Sequence, residues 1–165
     1  LLDESTSVKS SCRFRDKSRC WDQMKDFAAR LADTFTVGNG PAHTRIGLVK
    51  FSTRASVEFT LGDHNSNADV RAAIDGLVHS GGGTATRLGM ETVRDSLMQV
   101  SAGMRPASDR VPRVVVVVTD GAYSSGQDPA QVSGALRDDG TVVFAVGVQG
   151  YNSYQLGRLA SAPAA

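Results

Sequence analysis

Little in this sequence points to a membrane, a nucleic acid or a nucleotide cradle. Its longest uninterrupted apolar runs, Val114–Val118 and Val142–Val146, fall far short of the ~20 residues that a spanning helix needs. Lysine and arginine number 18 against 17 acids, a formal charge of +1, so no bulk field draws the chain toward nucleic acid. Gly81–Gly83 lacks the G-x-G-x-x-G spacing of a dinucleotide fingerprint, and no strand is expected before it. No G-x-S-x-G elbow occurs, and there is no internal repeat or low-complexity tract. No signal peptide is visible, although the chain starts inside an apparent strand, so a targeting segment can have been left outside it. Histidine is scarce and scattered. His43 sits among turn residues, His64 in a polar loop and His79 ahead of the glycines, each expected to be exposed rather than ligating.

Cysteine is scarce too, with only Cys12 and Cys20, close together in a polar, basic stretch. Two lone cysteines without a nearby histidine do not make a structural zinc site, which takes four ligands. They are either free surface thiols or a local disulfide. The second is favoured, since exposed thiols at that spacing oxidise in any permissive compartment. A bridge would place the chain in an extracellular or secretory setting.

What is present suits one domain over residues 1–165. The chain is long enough for a single sizeable core, with 41% apolar and 21% charged residues. Residues 1–3 read as the tail of a buried strand and Val8 to Arg19 as a loop. Trp21, Met24, Phe27, Ala28, Leu31 and Phe35 recur at helical spacing and predict a helix from Cys20 to Phe35. Ile46, Leu48, Val49 and Phe51 predict a strand, and Ala55–Leu61 a second one, close enough for an antiparallel hairpin. A short helix is expected around Val70, Ala73, Ile74 and Leu77. A longer one is expected from Thr86 to Val100, with Leu88, Val93, Leu97 and Val100 on one side, then a loop to Pro112. Arg113–Thr119 is apolar on both faces, as a central strand of a covered parallel sheet reads. Ala130–Leu136 predicts a helix, Val142–Val148 a strand and Tyr154–Ala160 a last helix. This alternation predicts an α/β fold: an open, doubly wound, Rossmann-like sheet, mostly parallel with one antiparallel edge strand, covered by helices on both faces.

Chemistry concentrates where such folds bind ligands, at the carboxyl ends of strands. Asp3-Glu4-Ser5-Thr6-Ser7 places an acid and two hydroxyls at alternate positions after the first strand. Asp3, Ser5 and Ser7 offer only oxygen, which suits a hard cation such as Mg²⁺ or Mn²⁺. Two other places can contribute: Thr84 after the glycine run, and Asp120 in Thr119-Asp120-Gly121, after the strongest apolar run. Taken singly, each has a bland reading: turn formers at 3–7, a helix N-cap at Thr84, a turn at Asp120-Gly121.

Together, in this order, the three segments resemble the metal-ion-dependent adhesion site of von Willebrand factor type A domains, the family that includes the inserted domains of integrins. Arg45 to Phe59 and Val142 to Val148 resemble further strands of that family, so the likeness covers nearly the whole chain. The resemblance implies that Ser5 and Ser7 bind the cation directly. Asp3 would act through water or by orienting the hydroxyls, and Thr84 and Asp120 would exchange between direct and water-mediated contact. An Asp or Glu of a partner would complete the shell. The implied function is metal-dependent adhesion within a larger secreted or cell-surface protein, through an extracellular matrix or cell-surface protein as partner. The resemblance also implies a sixth strand and a C-terminal helix beyond Ser161-Ala-Pro-Ala-Ala, so the domain is expected to be truncated at both ends.

Two departures from the family pattern stand out. Glu4 and Thr6 replace small residues between the ligands, and Glu4 is expected to point to water rather than add charge at the ion. Arg87 stands where relatives often carry Gly, either near the partner's acid or simply along a helix face. Lys9, Arg13, Arg15, Lys17 and Arg19 against the single acid Asp16 make a basic loop. It is an ordinary solvated loop, or a patch that steers acidic ligands and contacts sulfated glycans. An enzyme reading, by loose overlap with the D-x-D-x-T of haloacid dehalogenase-type phosphatases, fails because Ser5 stands where the second acid would act as general acid and base. A non-catalytic interaction module with an idle metal site is the remaining alternative.

Overall fold

The computed structural model describes residues 1–120, 123–124, 126–148 and 150–161. Its sheet is built from β1 (Leu2–Asp3), β2 (Leu48–Phe51), β3 (Ala55–Phe59), β4 (Arg113–Thr119) and β5 (Thr141–Gly147), in the order β3-β2-β1-β4-β5. β1 runs parallel to both β2 and β4, β4 runs parallel to β5, and β3 pairs antiparallel to β2 at the edge. This is the predicted mostly parallel sheet with one reversed edge strand.

Alternation along β4 divides Val115 to Val118 between two core layers, while Val114 is exposed. Val118 packs with Leu2 into one core layer, against helices α1 (Thr6–Ser10), α2 (Ser18–Asp33) and α3 (Asn67–Asp75). Val115 and Val117 point the other way and join Val49 and Val143 in a second layer. That layer is closed by α4 (Thr86–Thr92), α5 (Ala130–Asp138) and α6 (Ser153–Leu159). Burying each such side chain contributes about 1.5–3 kcal/mol, and successive side chains of a strand serve opposite layers. The short β1 therefore sits centrally, and the loop leaving it emerges between two neighbouring strands.

Three local expectations need correction. Val8 to Arg19 is not all loop, since α1 occupies Thr6–Ser10 with only Val8 buried. A single apolar residue in a five-residue helix leaves no period to read. In α2 the covered face is Trp21, Met24, Ala29 and Ala32, while Phe27 and Phe35 are exposed. The covered face mixes the large Trp21 and Met24 with Ala29 and Ala32; Phe27 lies at its margin, and Phe35 lies beyond the end of α2. The helix expected from Thr86 to Val100 changes type after Thr92. Val93–Leu97 is a π-helical turn, with Met98 N bonded to Val93 O at 2.8 Å, and Val100–Ala102 is 3₁₀. The buried stripe is Met90, Val93 and Leu97, at ordinary helical spacing, while Leu88 and Val100 are exposed.

Residues 162–165, within the stretch where a further strand was expected to begin, lie outside the described residues.

Candidate metal centre at the carboxyl end of the sheet

The loop leaving β1 is held in shape by its own acid. Asp3, fully buried, accepts the Ser5 amide on Oδ1 at 2.8 Å and the Thr119 hydroxyl on Oδ2 at 2.6 Å. The first bond closes the turn after β1, and the second ties it to the last residue of β4. The Ser5 and Ser7 hydroxyls stand 2.8 Å apart and share one hydrogen bond. Three of the five predicted oxygen donors thus form one contiguous group, as their alternate spacing implied.

Thr84 reaches the same end of the sheet through the loop following β4. Its amide donates to Ser124 Oγ at 3.1 Å, and its carbonyl accepts the Ser124 amide at 2.9 Å. It is not the N-cap of α4; Ala85 holds that position and no side chain caps the helix. Asp120 is buried, and its Oδ1 has no hydrogen-bond partner among the described residues. Gly121, which completes the Thr-Asp-Gly motif, lies outside the described residues.

Electrostatics at this point are unbalanced. Burial pushes the Asp3 carboxyl up to about 6, against the opposing bonds from Thr119 and Ser5, and the nearby Asp120 raises it further. Among the described residues no lysine or arginine pairs with either acid. Lys50, beside the same loop, is taken by Glu4 at 3.3 Å. Two buried acids, one with an orphaned oxygen, flanked by hydroxyls and lacking a cation, are chemically suited to a divalent ion bound by oxygen. No cluster of three or more His, Cys, Asp or Glu side chains occurs among the described residues, so any such site depends on the hydroxyls. A cavity of about 240 Å³ opens alongside, lined by Ser7, Ser11, Gln23 and Asp120 with Val8 and Met24.

Several expectations are revised by this geometry. Glu4 does not point to water: it is buried, paired with Lys50, and accepts the Ser80 amide at 3.0 Å. Arg87 lies along its helix, paired with Glu91 at 2.9 Å. His79 is only half-buried rather than exposed, edge-on to Trp21, with Nε2 donating to the Ser5 carbonyl at 3.1 Å. Burial holds its pKa below the ordinary value. Cys12 and Cys20 form the local disulfide, closing the basic loop beside α1. The roles of Thr119, Ser124 and Lys50 were not readable beforehand. Each acts across a long sequence separation, through ordinary residue types that carry no local signal.

The model of the von Willebrand factor type A domain matches residues 1–165. The chain belongs to that family. Human matrilin-4 is 34% identical over 165 residues, covering 99% of this chain and 24% of its own length. The human collagen alpha-1(XX) chain is 36% identical over 143 residues, 87% of this chain and 11% of its own. The type A domain therefore spans a quarter or less of these two relatives. Among solved structures, proximal thread matrix protein 1 from the mussel byssus, with a zinc-occupied MIDAS motif, superposes with a TM-score of 0.86 at 27% identity. That match covers 98% of this chain and 40% of the mussel protein. The relatives are a collagen chain and a matrilin, neither an enzyme by name, in keeping with a type A domain that binds rather than catalyses.

Proposed function

We propose that this type A domain is a divalent-metal-dependent adhesion module of a larger extracellular protein, taking an acidic residue of its partner onto the bound ion. The observation that carries the reading is the pair of buried acids, Asp3 and Asp120, one lifted to about 6 and the other with an orphaned oxygen. Nothing among the described residues neutralises them, and a cation would supply what both lack. Asp3, Ser5, Ser7, Thr84 and Asp120 are the residues that would hold it, with Mg²⁺ or Mn²⁺ as the ion. The bound ion supplies a centre of positive charge that a partner's carboxylate can complete. Asp3 orients Ser5 through the amide bond and Thr119 holds Asp3. The hydroxyls of Ser5 and Ser7, being neutral, leave much of the ion's charge for the guest.

The extracellular setting is supported by the disulfide and by the collagen and matrilin relatives. No helix among the described residues is long and apolar enough to cross a membrane. A matrix or cell-surface protein presenting Asp or Glu is the partner of this chemistry. The disulfide-closed loop adds a second surface, where exposed Arg13, Arg15, Lys17 and Arg19 suit sulfated glycans.

Calorimetric titration with Mg²⁺ and Mn²⁺ tests the site directly. Saturable binding that Asp120→Ala abolishes is expected; a wild-type domain that takes up neither ion leaves only an interaction module with an idle site. Solid-phase binding to immobilised acidic matrix proteins, with and without EDTA, then tests adhesion. Binding indifferent to EDTA would overturn it.

A further inference from the structure

The segment Asp3-Glu4-Ser5-Thr6-Ser7 carries two interleaved sets of side chains. Asp3 accepts the Ser5 amide and the Thr119 hydroxyl, and the Ser5 and Ser7 hydroxyls share a hydrogen bond. Glu4 and Thr6 reach instead to the glycine run. Glu4 accepts the Ser80 amide at 3.0 Å. Thr6 and Gly82 are joined twice, the Thr6 amide donating to the Gly82 carbonyl at 2.9 Å and the Gly82 amide to Thr6 Oγ1 at 2.8 Å. Lys50 completes the arrangement by pairing with Glu4 and donating to the Val78 carbonyl at 3.0 Å. The glycines cannot settle this segment by themselves. Gly81 and Gly82 have φ of +74° and +111°, backbone that costs glycine little but leaves it the most conformational entropy to lose.

We propose that Glu4 and Thr6 are positioning residues for the metal centre: they clamp residues 80–82 against the loop leaving β1, so that Thr84 is presented to the same cation as Ser5 and Ser7. The inference rests on the metal reading above, since it assigns a purpose to residues that are not themselves ligands. It also accounts for a buried carboxylate where small residues are frequent in the family pattern. Partners that orient ligands are commonly worth about 10–100-fold in metal affinity. The clamp is local, bridging two loops at one end of the sheet, so its loss acts on the geometry of Thr84 more than on the core.

The experiment compares Mn²⁺ titrations of the full 165-residue chain with its Thr6→Val, Thr6→Ser, Glu4→Gln and Glu4→Ala variants, beside hydrogen exchange in EDTA. Thr6→Val keeps the shape and removes the acceptor, and is expected to weaken Mn²⁺ binding by about 10-fold. Thr6→Ser restores the acceptor and is expected to bind as wild type. In EDTA, Thr6→Val should speed exchange at the Gly82 amide, and Glu4→Ala at the Ser80 amide. Glu4→Gln keeps an acceptor for Ser80 and carries the test if Glu4→Ala does not fold. Variants that lose thermal stability but keep wild-type Mn²⁺ affinity would overturn the positioning role while leaving the metal site intact. Wild-type protein that takes up no Mn²⁺ would instead overturn the metal reading, and this inference with it.

Discussion

The hydroxyl of Thr119, the last residue of β4, donates to Oδ2 of Asp3, the last residue of β1, across 2.6 Å. The bond joins two adjacent strand ends and settles which carboxylate oxygen remains for the Ser5 amide. Thr119→Val keeps the shape and removes the donor, leaving a buried carboxylate oxygen unsatisfied at a cost of about 1–3 kcal/mol. Chemical denaturation should show that loss in EDTA, and Mn²⁺ titration should show weaker binding. Unchanged affinity would mean that Thr119 supports the fold alone.

The Asp3 carboxyl, raised to about 6 from an ordinary 3.8, makes stability depend on pH in a stated direction. The folded value lies above the unfolded one, so this group favours the folded state at low pH. Its contribution is lost as pH rises from 3.8 through about 6. Divalent cation opposes that loss, and at one hundred times its dissociation constant stabilises the folded domain by about 2.7 kcal/mol. Urea melts in EDTA and in excess Mn²⁺, run near pH 5 and near pH 7.5, should show the larger cation effect at the higher pH. An equal effect at both would reject the linkage.

Packing away from the site is expected to affect stability alone. Met90 is fully buried between the sheet and its helix layer, and Met90→Ala should cost about 2–5 kcal/mol. Gly103 has φ of +88°, and a Cβ there would stand 2.5 Å from the Gly62 amide nitrogen. Gly103→Ala should cost about 1–3 kcal/mol in strain, or more where the clash forces the backbone to move. Mn²⁺ affinity, measured well below either variant's melting point, should match wild type. A large loss of affinity would show that core and site are coupled.

Retention on heparin tests the basic loop. Lys17 donates to the Cys12 carbonyl at 2.5 Å and Arg19 stacks over Phe14 at 4.5 Å, so the loop has a defined shape as well as charge. Neutralising Arg13, Arg15 and Lys17 together should lower the salt concentration needed for elution. Retention unchanged by the triple substitution removes glycan binding from consideration.

Legibility in the sequence followed how local each signal was. The valines of β4 announced a strand covered on both faces, because Val116 and Val118 serve one core layer and Val115 and Val117 the other. The five oxygen-bearing residues proposed as ligands could be named because their order matches a family pattern. The helix after Thr86 differs from expectation at its far end, because the backbone passes to a π-turn and then to 3₁₀ without a compositional trace. The helical spacing of Phe27 and Phe35 marked the helix but not their burial: Phe27 is exposed on α2, and Phe35 is exposed beyond its end.

Sequence alone determined the order of the strands and of the longer helices, the alternation of Asp3, Ser5 and Ser7, and the availability of oxygen donors, since periodicity and residue chemistry are properties of the chain itself. Tertiary structure alone decided that Glu4 turns inward to Lys50 and Ser80, that Thr119 braces Asp3, and that Asp120 keeps an oxygen without a partner among the described residues. Those outcomes depend on which distant groups share a buried space, where an unpaired charge is costly and every donor must find an acceptor.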